Sequence, residues 1–334
     1  MVIDHLDSGG LIFNYQCTAA CRHCLYASSP GRDGRYMDPE LLKILAGKAA
    51  SMGCGSFHIG GGEPFIRPNE LLANIRLLSD LGTGIEYLET NGFWYTGKPE
   101  DLLLLNEIKE AGCPTLMISV CPYHIEHIPL ARALGLAEAC RGIGLDMFIW
   151  QEQFIEELGQ LDPDETHSVE ELTGLFGDYY LLDTARRYGL SMNGRALLTY
   201  KPFLSHRPAE EIVGKNGGPC GELTNTKHFH LDCDGNYIPP GCVGLSVHYS
   251  RLGAPLAFDE YPHFNMLYER GIKDLFGYAL DAGYVPKSEG FCSKCDLCLD
   301  IRSFLIKSGR TGGCSDLRPD DFYPEVAGRE LSPA

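Results

Sequence analysis

Three cysteines, Cys17, Cys21 and Cys24, stand within eight residues near the start of the chain. Thiols clustered this tightly outside a disulfide framework read as metal ligands. Three thiolates can hold three irons of a 4Fe–4S cube and leave the fourth iron open, as a catalytic centre requires, whereas a structural site is closed. Zinc is the competing occupant, but it needs a fourth ligand nearby, and His23 is badly directed to supply one from inside the span. A second set, Cys292, Cys295 and Cys298, is spaced like the start of a ferredoxin run, yet Leu299-Asp300-Ile301-Arg302 follows in place of the remaining cysteine. Between the two sets, Cys121-Pro122-Tyr123-His124-Ile125-Glu126-His127 gathers a thiol, two imidazoles, a phenol and a carboxylate. Cys121 could give up a hydrogen atom or simply pack in the core. Tyr123, His124 and Glu126 suit substrate contact or proton transfer better than metal binding, because no further ligand accompanies the two histidines.

The bulk composition limits what surrounds these residues. The 334-residue chain carries 14 cysteines, is 44% hydrophobic and 22% charged, and has a net charge of 28 − 45 = −17. That balance is globular, and it disfavours nucleic acid or an anionic membrane as the main partner. The first residues, MVIDHLDSGG, lack the basic and apolar regions of a secretory signal, and no apolar run reaches the length of a membrane helix. A soluble, cytoplasmic chain in a reducing compartment is expected, where Cys54, Cys113 and Cys140 are small core residues.

Residues 11–200 must position the first set. Short apolar runs at 11–15, 56–60, 84–89, 115–120, 145–151 and 191–200 read as strands, with amphipathic stretches between them. Asp38-Pro39 is a helix start, with Leu41, Leu42, Leu45, Ala46 and Ala49 as its buried stripe and Gly53 at its stop; Pro68 and Pro99 open two more helices. Six strand–helix repeats imply a parallel α/β sheet, open or curled into a barrel, with the functional loops at the carboxyl ends of the strands. After residue 200 the rhythm breaks. Residues 228–232 and 236–238 around Asp234-Gly235 read as a hairpin, and helices are expected at 268–282 and 299–307. The division is therefore 1–204 and 205–334, the second part small, cysteine-rich, α+β and dependent on a metal for stability.

Cys17-x3-Cys21-x2-Cys24 after a first strand resembles the radical S-adenosylmethionine (SAM) superfamily. Three further segments match in order: Gly61-Gly62-Glu63-Pro64 after strand two, Thr90-Asn91-Gly92 after strand three, and Ser119 after strand four. The resemblance implies a partial (β/α)6 barrel of TIM type and a 4Fe–4S cluster on Cys17, Cys21 and Cys24. It also implies SAM cleaved by one electron to a 5′-deoxyadenosyl radical that abstracts a substrate hydrogen. Gly61, Gly62 and Glu63 would meet the methionine amino group, Asn91 would lie beside the cofactor and Ser119 near the ribose. Arg195, in Asn193-Gly194-Arg195-Ala196, would pair the SAM carboxylate or be an ordinary rim arginine. Many relatives carry an aspartate where Cys121 stands, and a carboxylate cannot donate a hydrogen atom.

The C-terminal cysteines resemble a Twitch or SPASM-like auxiliary domain. That resemblance implies a second 4Fe–4S cluster on Cys220, Cys242, Cys295 and Cys298, with Cys292, Cys233 and Cys314 as weaker candidates and a zinc ribbon as the alternative. Ser28-Ser29-Pro30 and Asn91-Gly92-Phe93-Trp94 resemble segments of radical SAM peptide epimerases, although Val243, not a cysteine, follows Cys242. The implied substrate is a ribosomally made peptide, with a small metabolite as the alternative and a reductant such as flavodoxin or ferredoxin as partner. A non-catalytic iron–sulfur or zinc scaffold is the reading from another class.

Overall fold

The computed structural model describes residues 1–311 and 313–327. The chain divides into two compact units, one of residues 9–24 and 28–190, the other of residues 1–8, 25–27 and 191 onward. The first unit is built on five parallel strands, β1 (Ser8–Ile12), β2 (Ser56–Gly60), β3 (Gly84–Thr90), β4 (Thr115–Ser119) and β5 (Asp146–Trp150), in the order β5-β4-β3-β2-β1. The pairs Ile12↔Gly60 and Ser119↔Trp150 join strand ends and Thr90 pairs with Ile118 one residue short of its strand's end, so the loops that follow the strands emerge on one edge. One face of the array is apolar, with Leu11, Phe57, Ile59, Leu88, Leu116 and Ile118 fully buried.

Helices α1 (Pro39–Ser51), α2 (Pro68–Asp80), α3 (Pro99–Glu110) and α4 (Leu130–Ile143) link the strands. Each of the first three opens on its proline, a residue already shaped for the first turn and with no amide to waste there. Asp38 caps α1 by accepting from the amides of Glu40 and Leu41 at 2.9 and 3.1 Å. The stripes bury Leu42, Leu45, Ala46 and Ala49 on α1, and Leu71, Leu72, Ile75 and Leu78 on α2. Cys54, Cys113 and Cys140 lie in this core as small apolar residues.

The sixth expected strand is absent. Residues 191–200 are instead a short helix, Gly194–Tyr200, that buries Gly194, Arg195, Ala196, Leu197, Thr199 and Tyr200. A helix buried on nearly all sides carries the continuous apolar signature that also marks a buried strand, which is why periodicity misassigned it. The parallel α/β class is as expected, with five strand–helix repeats in place of six.

The second unit contains the expected hairpin, β6 (Lys227–Asp232) with β7 (Asn236–Ile238), extended by β8 (Val247–His248) in antiparallel pairing. Asp232 holds the turn by accepting from the amides of Asp234 and Asn236. The expected helix at 268–282 is two helices, Pro262–Glu269 and Ile272–Asp281, broken at Gly271, whose φ of +69° a side chain would strain. The last long helix begins earlier than expected, spanning Lys294–Lys307 behind a Ser293 cap. Cys295 and Cys298 therefore sit three residues apart near its N-terminus, on one face.

Candidate active site

The loop after β1 is closed on itself by its backbone. The Cys17 amide donates to the Ser29 carbonyl at 3.1 Å and the Cys24 amide to the Cys21 carbonyl at 3.2 Å. Cys17 and Cys21 are buried and Cys24 is partly exposed. Two sulfurs already accept hydrogen bonds, Cys17 Sγ from the Ala19 amide at 3.4 Å and Cys24 Sγ from the Ser28 amide at 3.4 Å. Such donors stabilise thiolates in a cluster.

The loop after β2 runs directly against this segment. The Gly62 amide donates to the Asn14 carbonyl at 2.7 Å, and the Glu63 amide to the Gln16 carbonyl at 2.9 Å. A Cβ on Gly62 would lie 2.0 Å from the Gln16 carbonyl oxygen, and Gly61 adopts a φ of +147°. Both glycines are thus demanded by backbone packing beside the cysteine loop. Glu63, 1% exposed, ties the second loop to the third: its carboxylate accepts from the Phe65 amide, the Thr90 hydroxyl and the Asn91 amide at 3.1, 3.0 and 2.8 Å. Burial raises this carboxyl to about 7 despite those three donors. Asn91 then returns to the first loop, its Nδ2 lying 3.6 Å from Cys17 Sγ and 3.3 Å from Thr18 Oγ1. Ser119, half-buried, ends β4 opposite Trp150.

The residues after β4 fall into two groups. Cys121 is fully buried, with Sγ 2.9 Å from His124 Nδ1. Burial pushes the thiol up to about 12 and holds the imidazole down to about 4, so the pair is neutral at pH 7. His23 packs beside them: its ring stacks on Tyr123 at 4.8 Å and meets His124 at 5.0 Å and Tyr188 at 5.0 Å. Glu126 has a different occupation. Both its oxygens accept from Arg22 Nε, at 3.0 and 3.2 Å, while Arg22 Nη2 reaches Glu170 at 2.7 Å. Glu126 thereby anchors the stretch between Cys21 and Cys24 to the loop after β4. Burial raises its pKa and the Arg22 charge opposes that rise. The pairing of Arg22 with Glu126 and the packing of His23 were not foreseen, since no local spacing signals contacts over about a hundred residues.

In the second unit, Cys220, Cys242, Cys295 and Cys298 line one cavity of about 150 Å³ together with Lys294, Glu222 and Arg302. That space is roughly ten times what one water-sized occupant needs. Neither these four cysteines nor Cys17, Cys21 and Cys24 are among the described groups whose ligand atoms all lie within 4.8 Å of one another. One tetrahedral zinc would hold sulfurs about 3.8 Å apart. Arg195 is buried on its helix in this second unit rather than on a barrel strand.

Residues 11–128 match the radical SAM superfamily. That stretch, about a third of the chain, is therefore similar to a radical SAM domain, an enzyme class for which a 4Fe–4S cluster and SAM are the implied cofactors. A probable GTP 3′,8-cyclase of Methanocaldococcus jannaschii is 28% identical over 109 residues, 31% of this chain and 33% of that protein. The shared segment spans about a third of that relative's length. Among solved structures, the chain is similar to SuiB of Streptococcus suis bound to S-adenosylmethionine, with a TM-score of 0.44 and 14% identity over 80% of this chain and 67% of that one. It is also similar to anSMEcpe with bound AdoMet and Cp18Cys peptide, with a TM-score of 0.39 and 17% identity over 71% of this chain and 75% of that one. No helix among the described residues is long and apolar enough to cross a membrane.

Proposed function

We propose that this chain is a radical SAM enzyme that abstracts hydrogen from a peptide substrate, with its catalytic cluster on Cys17, Cys21 and Cys24 and a second cluster on Cys220, Cys242, Cys295 and Cys298. The observation that carries the reading is the linkage of three successive loops. Gly62 packs on Gln16, Glu63 accepts from Asn91, and Asn91 Nδ2 returns to Cys17. When bound, the cluster and SAM supply one electron and a 5′-deoxyadenosyl radical.

The chain's own residues supply the rest. Glu63 keeps a lone-pair position beyond its three donors for the SAM ammonium group, whose charge favours the ionised carboxylate. Cys121 holds its proton as a neutral thiol beside neutral His124, the state from which a hydrogen atom is given. Tyr123 holds His23, and Glu126 holds Arg22, so both act by positioning.

A peptide is favoured over a small metabolite by the rim of β5. Phe148 and Trp150 are 36% and 43% exposed, and they border an open cavity of about 410 Å³ with Gln151, Gln153, Arg187 and Tyr188. A strand at the end of its sheet, with aromatic side chains to grip, accepts an extended chain by main-chain pairing.

The test is anaerobic reconstitution with iron and sulfide, followed by a SAM-cleavage assay with a chemical reductant. About eight irons and eight sulfides per chain and formation of 5′-deoxyadenosine are expected. Zinc in place of iron, or intact SAM after prolonged reduction, would favour a scaffold role instead.

A further inference from the structure

Arg302 is 6% exposed, on the helix that carries Cys295 and Cys298, and it lines the same cavity. Its Nη1 donates to the Val243 carbonyl at 3.1 Å and to the Tyr323 hydroxyl at 3.0 Å, and the guanidinium lies 5.7 Å from the Tyr323 ring centre. Its Nε is buried with no hydrogen-bond partner among the described residues. Burial opposes its charge, while Tyr323, Cys298 and Cys242 favour it, Cys298 also through a side-chain hydrogen bond, with no carboxylate among them. A guanidinium is always charged, and burying one without an anion costs several kcal/mol. The other cation of the cavity is already matched, since Lys294 Nζ sits 2.9 Å from Glu222 Oε2 and 3.9 Å from Cys220 Sγ. Among the described residues no carboxylate pairs with Arg302, so an anionic occupant of the cavity would supply its counter-charge.

We propose that Arg302 is the counter-charge of the second cluster and raises its reduction potential; this rests on the four-cysteine reading of the cavity. Four thiolates around an oxidised 4Fe–4S core leave a net charge near −2, and the electron accepted from an external reductant makes it near −3. A fixed positive charge in a low-dielectric wall stabilises the more negative state more strongly. Arg302 is a positioning residue in this account: it touches cluster ligands and no substrate.

The experiment uses the full chain in a background where Cys17, Cys21 and Cys24 are alanine, so the remaining cluster signal belongs to the second site. The midpoint potential is read by electron paramagnetic resonance during a redox titration of Arg302, Arg302→Lys and Arg302→Met proteins, with iron and sulfide counted in each. Arg302→Met is expected to shift the one-electron equilibrium toward the oxidised cluster by at least tenfold, 59 mV. Arg302→Lys should recover most of that shift. A methionine variant that keeps its iron and its potential overturns the proposal. If methionine abolishes loading, retained iron in the lysine variant supports a charge role, and loss in both overturns it. Zinc or no metal in the unsubstituted background defeats the four-cysteine reading itself, and metal analysis alone identifies that case.

Discussion

Glu63 is the side chain on which the loop assembly turns, and its titration is informative because it is fully buried. Its carboxyl lies near 7 in the fold against an ordinary 4.5, so the folded state binds more protons than the unfolded one between those values. Stability of the SAM-free protein therefore falls as pH rises from about 4.5 to about 7, by roughly 3 kcal/mol from this group, and is flat above. Glu89, raised to about 7 by burial and by Glu63, adds to the same trend. A SAM ammonium beside Glu63 would reverse the preference, so SAM should bind more tightly from about pH 6 to about pH 8, with proton release. Calorimetry in buffers of different ionisation enthalpy measures that release. Glu63→Gln should weaken binding and remove most of its pH dependence; an unchanged pH profile would show that Glu63 does not meet SAM.

At the scale of elements, the contact of Gly271 with Gly218 bears on the second cysteine set. Gly271 has a φ of +69°, and a Cβ there would lie 1.9 Å from the Gly218 carbonyl oxygen. The chain from Gly218 leads to Cys220, whose amide donates to the Leu267 carbonyl at 2.9 Å. Gly271→Ala should cost at least about 1 kcal/mol in strain and displace Cys220. The expected outcome is the loss of about one cluster's iron, the same loss that Cys295→Ser should give, with 5′-deoxyadenosine formation retained. Hydrogen exchange should rise in residues 205–311 and stay unchanged in the parallel sheet. Full iron content in both variants would remove Cys220 and Cys295 from the ligand set.

The same elements show what the sequence made legible. The proline-opened helices and strands two to five follow from local chemistry, as do the Asp234-Gly235 hairpin and the order of the loops at the strand ends, whereas strand one, expected at 11–15, lies at Ser8–Ile12. The segment 191–200 was misread because nearly every residue of its helix is buried, which erases the amphipathic period. Arg302 carried an available signal, four residues beyond Cys298 on one helical face, that spacing alone could have found. The Arg22–Glu126 contact had none, because it is set by tertiary packing of two loops 104 residues apart.

For the whole molecule, the central claim is that Cys17, Cys21 and Cys24 hold the cluster at which SAM is cleaved, while a separate set of cysteines holds a second metal centre. The formal charge of −17 does not bear on it; the two constellations do. The most direct measurement compares 5′-deoxyadenosine formation by the anaerobically reconstituted protein with that of the triple variant Cys17→Ala, Cys21→Ala, Cys24→Ala. The account predicts no 5′-deoxyadenosine above background from the triple variant, with about four irons per chain still bound at the second site. A triple variant that cleaves SAM at the unsubstituted rate would contradict it.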